Sequence, residues 1–310
     1  MPAILEVDRL TKRYRGASVN AVDEISFSVA AGEFFTFLGP NGAGKTTTIS
    51  ILTTTLTPTS GTARIAGYDV VLSASAVRQQ VGIIFQQPSL DLNLSAEENI
   101  RFHAVLYGLY PFRPLFSAMP RRYREQVHEL ASLLDLEKDI GKPVKKFSGG
   151  MRRKLEIMRS LLHRPRVLFL DEPTLGLDPI SRRGLWQYLR QVRAESGTTI
   201  FLTTHYLEEA EEADSICIIH RGRIVAQGTP LEVKARLIER YVLVDADDRA
   251  GLRDELRRLG MTFTETPLFR IDLDDRGVQQ IIKAIETPLT TVKTHVPSLE
   301  DAYLEIVGNA

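Results

Sequence analysis

The chain has 310 residues, 43% hydrophobic and 25% charged, enough length for two domains of unequal size with a substantial core. Lysine plus arginine balances aspartate plus glutamate at 39 each, so no overall basic field points to nucleic acid. The one cysteine, Cys217, sits in an apolar run and reads as an inert core thiol, which excludes a disulfide framework. Residues 1–9 lack the charged-then-apolar order of a signal peptide, and no apolar run reaches the roughly 18 residues of a membrane span. The expectation is a cytoplasmic protein whose tie to any membrane runs through a partner.

In chain order, alternation at Leu5 and Val7, then at Ile25, Phe27 and Val29, predicts two strands. Residues 34–38 predict a buried strand ending at Gly39, where a glycine-rich loop begins, and residues 46–56 predict a helix. Residues 81–85 form another short apolar run, read as a strand. Ser95 with Glu98 three residues on is a capping box, opening a helix to about Gly108. Pro111, Pro114 and Pro120 then break the pattern among Tyr110, Phe112, Leu115 and Phe116. Helical spacing resumes at Val127, Leu130 and Leu134. Ser148 reads as the cap of a helix with Met151, Leu155, Met158 and Leu162 on one face, and Pro165 stops it. Strands at 167–170 and 199–203 flank a helix over 181–195. Strands alternating with helices imply an α/β fold with a largely parallel sheet, and ligands at the carboxyl ends of its strands.

From about Tyr241 the texture changes. Val244-Asp245-Ala246-Asp247-Asp248-Arg249 is echoed by Ile271-Asp272-Leu273-Asp274-Asp275-Arg276, and each copy leads into a helical pattern and then a β-rich run. Two βαβ halves in tandem predict a small α+β, ferredoxin-like module over 241–310. The acidic repeats lack the ligand spacing of a calcium loop. With no phosphate loop or nucleophile cluster there, and His295 its only histidine, the module reads as an interaction domain.

Gly39-Pro40-Asn41-Gly42-Ala43-Gly44-Lys45-Thr46 satisfies the phosphate-loop pattern in full, between an apolar strand and a helix. Glycines let the backbone turn tightly, so that its amides aim at phosphate oxygens. In this pattern Lys45 reaches the β/γ-phosphates and the Thr46 hydroxyl ligates Mg²⁺; Thr47 follows in the same cradle. Leu168-Phe169-Leu170-Asp171-Glu172 is an apolar strand ending in two carboxylates. Asp171 is placed to reach that metal, and Glu172 to polarise an attacking water as general base.

Phe147-Ser148-Gly149-Gly150-Met151 resembles the signature motif of ABC ATPases and stands just before the Asp-Glu strand, as in that family. The resemblance implies a phosphate-loop ATPase core over residues 1–235, with a helical subdomain at about 88–165. It implies that Ser148, Gly149 and Gly150 meet the γ-phosphate of ATP bound to a second subunit. A helix N-terminus with bare amides and a hydroxyl suits an anion independently of family. Gln86 resembles the Q-loop glutamine, which contacts Mg²⁺ or the attacking water and senses the transporter. Asp178, in Leu175-Gly176-Leu177-Asp178, resembles the D-loop, His205 the switch histidine, and Tyr14 the aromatic that stacks on adenine. Phe147 and Met151 depart from the leucine and glutamine of many members, and residues 109–120 are longer and more aromatic than the usual connection.

Within the family, Gly176-Leu177-Asp178-Pro179, the run Thr203 to Ala210 and the ending Pro297-Ser298-Leu299-Glu300-Asp301-Ala302-Tyr303-Leu304 are similar to the exporter branch that includes daunorubicin-resistance pumps. The resemblance therefore implies an ATP-hydrolysing motor of an exporter of drugs, lipids or other hydrophobic or polymeric compounds. Its cofactors would be ATP and Mg²⁺. Its partners would be an integral membrane permease and a second copy of the chain, in a 2+2 or similar assembly at the cytoplasmic face of the plasma (inner) membrane. The alternative is an ABC ATPase without a transporter, acting on ribosomes or DNA. Against it stand one phosphate loop, no sustained heptads and no basic surplus. A small-molecule kinase would leave Ser148-Gly149-Gly150 and His205 without a role.

Overall fold

The computed structural model describes residues 2–86, 89–237, 241–265, 267–273, 278–294 and 298–308. Asp274, Asp275, Arg276, His295 and Pro297, singled out above, lie outside the described residues. Two compact units divide the chain, Met1–Thr229 and Pro230–Ala310.

The first unit holds β1 (Ala3–Lys12), β2 (Val22–Ala30), β3 (Phe34–Leu38), α1 (Lys45–Leu52), β4 (Ser60–Ile65), β5 (Tyr68–Asp69), α2 (Ala74–Gln80), β6 (Val81–Ile84) and α3 (Ala96–Leu106). It continues with α4 (Arg121–Leu133), α5 (Gly149–Leu161), β7 (Val167–Asp171), α6 (Pro179–Ser196), β8 (Thr199–Thr204), α7 (Leu207–Ala210), β9 (Ser215–His220) and β10 (Arg223–Gly228). Six strands form the central sheet in the order β10-β9-β3-β8-β7-β6. It is parallel except at β10, which returns antiparallel beside β9. A separate antiparallel sheet, β2-β1-β4-β5, goes beyond the single parallel sheet that the alternation of strands and helices suggested.

Successive residues of a strand face opposite sides of its sheet, and β3, β7 and β8 show the consequence. Phe35, Phe37, Val167, Phe169 and Phe201 enter one core with residues of the antiparallel sheet. Phe34, Leu168, Leu170, Ile200 and Leu202 enter the other, with α3, α4, α5 and α6. These strands are apolar throughout because both faces are covered. Phe201 lies against Phe27, Phe35, Phe37 and Phe169, with ring centroids 5.0–6.1 Å apart. Cys217 is buried in the first of these cores, and burial pushes its thiol pKa up. No described helix is long and apolar enough to cross a membrane.

The capping box forms at α3: Glu98 N–H donates to Ser95 Oγ at 3.2 Å, and Ser95 N–H to Glu98 Oε2 at 2.8 Å. Helix α1 ends at Leu52, short of the expected residue 56, because Thr53 and Thr54 turn the chain, Thr54 at φ 64°. Helix α6 starts earlier than expected, with Asp178 as its cap and Pro179 in its first turn, where a missing N–H costs nothing.

Residues 109–120 divide between packing and exposure. Tyr110 and Phe116 pack edge-on against buried Tyr123, at 5.3 and 6.0 Å, and Met119 is buried. Arg101 Nη1 donates to Arg113 O at 2.9 Å, which holds the segment down. Phe112 and Leu115 are 50% and 63% exposed, and the Phe112 ring stacks on that of exposed Phe102 on α3.

The burial of His103 predicts that this unit loses stability in acid. His103 on α3 lies 4.2 Å from the Tyr107 ring and 6.2 Å from that of His163. Burial, with the Arg159 charge and His163, lowers its pKa to about 3. An unfolded histidine titrates near 6.5. Between these values the unfolded chain binds the extra proton, so stability falls as pH drops below about 6.5. Denaturant midpoints from pH 7 to pH 4.5 should therefore fall less steeply for His103→Leu than for the unaltered chain. Parallel curves would contradict this.

The second unit comprises α8 (Pro230–Leu237), β11 (Tyr241–Ala246), α9 (Arg249–Arg258), β12 (Phe263–Glu265), β13 (Phe269–Asp272), α10 (Val278–Ala284), β14 (Leu289–Thr294) and α11 (Leu299–Gly308). Its sheet runs β12-β13-β11-β14, antiparallel throughout. Val242, Val244, Phe269 and Ile271 face Leu252, Leu256 and Ile281 of the helices. The first acidic repeat does structural work: Asp248 caps α9 by accepting from Gly251 N–H at 2.8 Å, and Asp245 pairs with Arg249 at 3.2 Å.

Candidate functional site

The carboxyl ends of β3, β7 and β8 lie side by side at the centre of the larger sheet, and the loops leaving them build the site. After β3 the chain turns through Gly39–Gly44 into α1. Two of these glycines are required by contact. A Cβ on Gly39 would lie 2.4 Å from the carbonyl oxygen of Ile219. On Gly44, at φ 110°, it would lie 2.4 Å from that of Ala21. Neither backbone can yield cheaply, so a side chain at either place distorts the loop. Gly39 N–H donates to Thr204 O at 3.3 Å, joining the loop to the end of β8.

Lys45 is almost fully buried under the loop it belongs to. Its ammonium donates to Gly39 O at 2.7 Å and Pro40 O at 3.2 Å and meets Glu172 Oε1 at 3.2 Å. Glu172 is the focus of the site. His205 Nδ1 lies 3.3 Å from the same oxygen, and Gln86 Nε2 donates to Oε2 at 3.5 Å. The two carboxylates are handled differently. Asp171, 2% exposed, ends β7 in regular strand geometry and accepts from the Thr203 hydroxyl. Glu172 has φ 46°, a left-handed backbone that costs an ordinary residue on the order of 1–2 kcal/mol, and this turns its side chain out of the strand toward Lys45. A cleft at this point is lined by Pro40, Asn41, Gly42, Gly44, Lys45, Thr46, Thr47, Gln86 and Glu172. Tyr14 stands with its ring half-exposed and its hydroxyl 3.2 Å from Thr47 Oγ1.

The structure thus brings Lys45, Thr46, Thr47, Gln86, Asp171, Glu172 and His205 to one place. Ser148, Gly149 and Gly150 do not line that cleft. Ser148 caps α5 by accepting from Met151 N–H at 3.2 Å, and Ser148 and Gly149 are exposed at its N-terminus. Asp178 caps α6, accepting from Ile180 N–H, Ser181 N–H and the Ser181 hydroxyl. These bonds, the hydroxyl first, hold its carboxyl below the usual pKa range. A Cβ on Gly150 would lie 2.7 Å from Ser181 Oγ, so the two capped helix starts abut.

Among the buried charges that escaped the sequence reading, Glu209 and Arg153 bear on the turn around Glu172. Glu209 accepts from the Thr204 hydroxyl at 2.7 Å and the Thr174 hydroxyl at 2.5 Å. It thereby ties the end of β8, just before His205, to the turn just after Glu172; burial raises its pKa. Arg153 on α5 reaches main-chain carbonyls on both sides of Glu172. The only sequence signal for either was a charge at a helix position that also had to be buried, which spacing alone does not reveal.

A buried strand, a glycine loop with its lysine, and a strand-end carboxylate pair facing them define a phosphate-loop nucleoside triphosphatase. A profile of the ABC transporter family matches residues 22–175. The chain is 36% identical to the daunorubicin resistance ATP-binding protein DrrA3 of Streptomyces coeruleorubidus, over 98% of its own length and 96% of the relative's. It is 42% identical to the Nod factor export ATP-binding protein I of Ralstonia nicotianae, over 98% and 94%. Among solved structures it resembles an ATP binding subunit of an ABC transporter, with 32% identity and a TM-score of 0.65 over 75% of this chain and 92% of that one. The chain belongs to the ATP-binding subunits of ABC transporters, and it is an ATPase.

Proposed function

We propose that this chain is the ATP-hydrolysing motor of an exporter, with Glu172 as general base. The observation that carries the reading is the convergence of Lys45, Gln86 and His205 on the Glu172 carboxylate. Lys45 and the amides of residues 41–47 bind the phosphates, His205 faces the γ-phosphate, and Tyr14 stacks on the adenine. The oxygens of Thr46, Gln86 and Asp171 are a hard donor set that suits Mg²⁺, and the buried Asp171 carboxylate calls for a cation. When bound there, Mg²⁺ neutralises charge on the phosphates.

The exposed start of α5, outside the cleft, supports a shared site: Ser148, Gly149 and Gly150 of one copy close over the nucleotide of another, with Asp178 beside them. A homodimer carrying two such sites then serves a membrane permease at the cytoplasmic face, in a 2+2 or similar assembly. The domain reading remains an ATPase of residues 1–235, with a helical subdomain at about 88–165, and a ferredoxin-like accessory domain over 241–310. The strand order β12-β13-β11-β14 supports the latter. The names of the two relatives, a drug-resistance protein and an export protein, support export as the direction.

The apolar surface of Phe102, Phe112 and Leu115 suits the permease as its occupant, since the helical part that bears it also carries the loop of Gln86. Phe116 packs inward and is not part of this surface. Replacing Phe112 and Leu115 together with serine should abolish co-purification with the membrane protein and leave the melting temperature of the free subunit unchanged. Retained co-purification, or a melting temperature several degrees lower, would count against this surface.

A further inference from the structure

The edge of the central sheet is closed by side chains of α5 and of the turn that follows it. Among the described residues, strand β6 pairs only with β7, which leaves alternate carbonyls facing outward. Val81 O meets His163 Nε2 at 2.8 Å, Ile83 O accepts from the Ser160 hydroxyl at 3.0 Å, and Phe85 O accepts from Arg153 Nη1 at 2.7 Å. Arg153 and Ser160, seven residues apart, lie on one face of α5, and His163 follows in the turn after the helix. Farther along, Glu156 Oε1 accepts from Ser89 N–H at 3.0 Å, and Arg159 Nη1 donates to Ser89 O at 2.8 Å. The segment bearing Gln86 is therefore clipped to α5 at both ends.

Arg153 does more than cover an edge. Its Nε donates to Pro173 O at 3.0 Å and its Nη2 to Asp171 O at 3.4 Å. These carbonyls flank Glu172, the residue held at φ 46°. Arg153 is 7% exposed, and its charge is met by Glu156 at 2.9 Å. A buried arginine so enclosed has a fixed fork, and its fork touches the main chain before Gln86, before Glu172 and after Glu172.

We propose that Arg153 is a positioning residue for ATP hydrolysis, fixing the strained turn that presents Glu172 and the carbonyl that precedes Gln86. The proposal rests on the reading of Glu172 as the base. Arg153 touches neither residue's side chain, and the phosphate loop is held by β3, α1 and the ends of β8 and β9. Loss of Arg153 therefore displaces the base without disturbing nucleotide binding.

The test uses full-length Arg153→Lys and Arg153→Met. It compares kcat, KM and the Kd of a fluorescent ATP analogue. A misplacement of about 1 Å costs about 10² in rate. The expected result is a kcat reduced about 10- to 100-fold, with KM and Kd little changed. One lysine ammonium does not span the carbonyls of Phe85 and Pro173, so Arg153→Lys is slow as well. If Arg153→Met leaves Glu156 uncompensated and does not fold, Arg153→Met with Glu156→Met removes both charges and carries the same expectation.

Because Arg153 acts through Glu172, Arg153→Met placed on Glu172→Gln should add little to the loss already present. A folded Arg153 variant with wild-type kcat, a loss confined to nucleotide affinity, or an undiminished further loss on Glu172→Gln would each overturn the proposal. Full-rate hydrolysis by Glu172→Gln alone would instead remove the base assignment, and this proposal with it.

Discussion

Replacing Glu172 with glutamine should slow ATP hydrolysis by about 10²–10⁴ while ATP still binds. In barrier height that is roughly 3–5 kcal/mol. Glutamine keeps the size of the side chain and an oxygen able to accept from Lys45, so the geometry around the loop survives. What it lacks is a carboxylate able to take the proton of an attacking water. On this reading binding energy comes instead from Lys45, the loop amides and Tyr14, all of which the substitution leaves in place, with the Lys45 contact kept as a neutral hydrogen bond. Steady-state hydrolysis and the Kd of a fluorescent ATP analogue, measured on the same preparation, check both halves of this expectation. A wild-type rate would show that another group accepts the proton; lost binding would show that the Lys45–Glu172 contact organises the loop itself.

Much of this site was legible in the sequence because its chemistry is local. The phosphate loop needs glycines at fixed offsets, the carboxylate pair needs an apolar strand before it, and a helix cap needs its serine or aspartate at the first turn. Each rule joins residues a few positions apart, and Lys45, Asp171, Glu172 and Ser148 obey them. Gln86, Asp178 and His205 rest on resemblance: nothing in the immediate spacing of Gln86 or His205 brings either to Glu172, and only the sheet order β6-β7-β8 does so. The capping box of Ser95 was readable for the same local reason as the phosphate loop.

Partnerships between distant segments were not readable. Arg153 stands in a basic run, Arg152-Arg153-Lys154, where a solvated face is the default. Its burial follows from the way α5 lies along the edge of β6. Glu209 lies in an acidic run with the same ambiguity, and Thr174 and Thr204 approach it only because β7 and β8 are neighbours. The antiparallel sheet went unrecognised because the alternation of β1 and β2 does not specify their partners. The aromatic segment 109–120 could not be divided into packed and exposed residues by composition: Tyr110 and Phe116 face Tyr123, and Phe112 faces outward, within one proline-broken stretch.

The central claim is that one chain holds half of each hydrolytic site: the phosphate loop, Gln86, Glu172 and His205 on one side, the α5 start on the other. Lys45→Met should abolish nucleotide binding by removing the ammonium that the β/γ-phosphates need. Ser148→Arg should abolish hydrolysis by filling an anion site with a bulky side chain, while ATP still binds to the subunit's own loop. Each loss should be near complete in the pure variant. In a mixed dimer, however, the sound phosphate loop of the Ser148 variant faces the sound α5 start of the Lys45 variant, and both defects fall in the other site. Half the dimers in an equal mixture are mixed, each with one sound site, so about one quarter of the wild-type rate should return. The decisive measurement is therefore the ATPase rate of the two inactive variants before and after mixing, with mixed dimers verified by crosslinking. Recovery to about that level is the predicted result; no recovery despite proven mixed dimers would contradict a site shared between two copies.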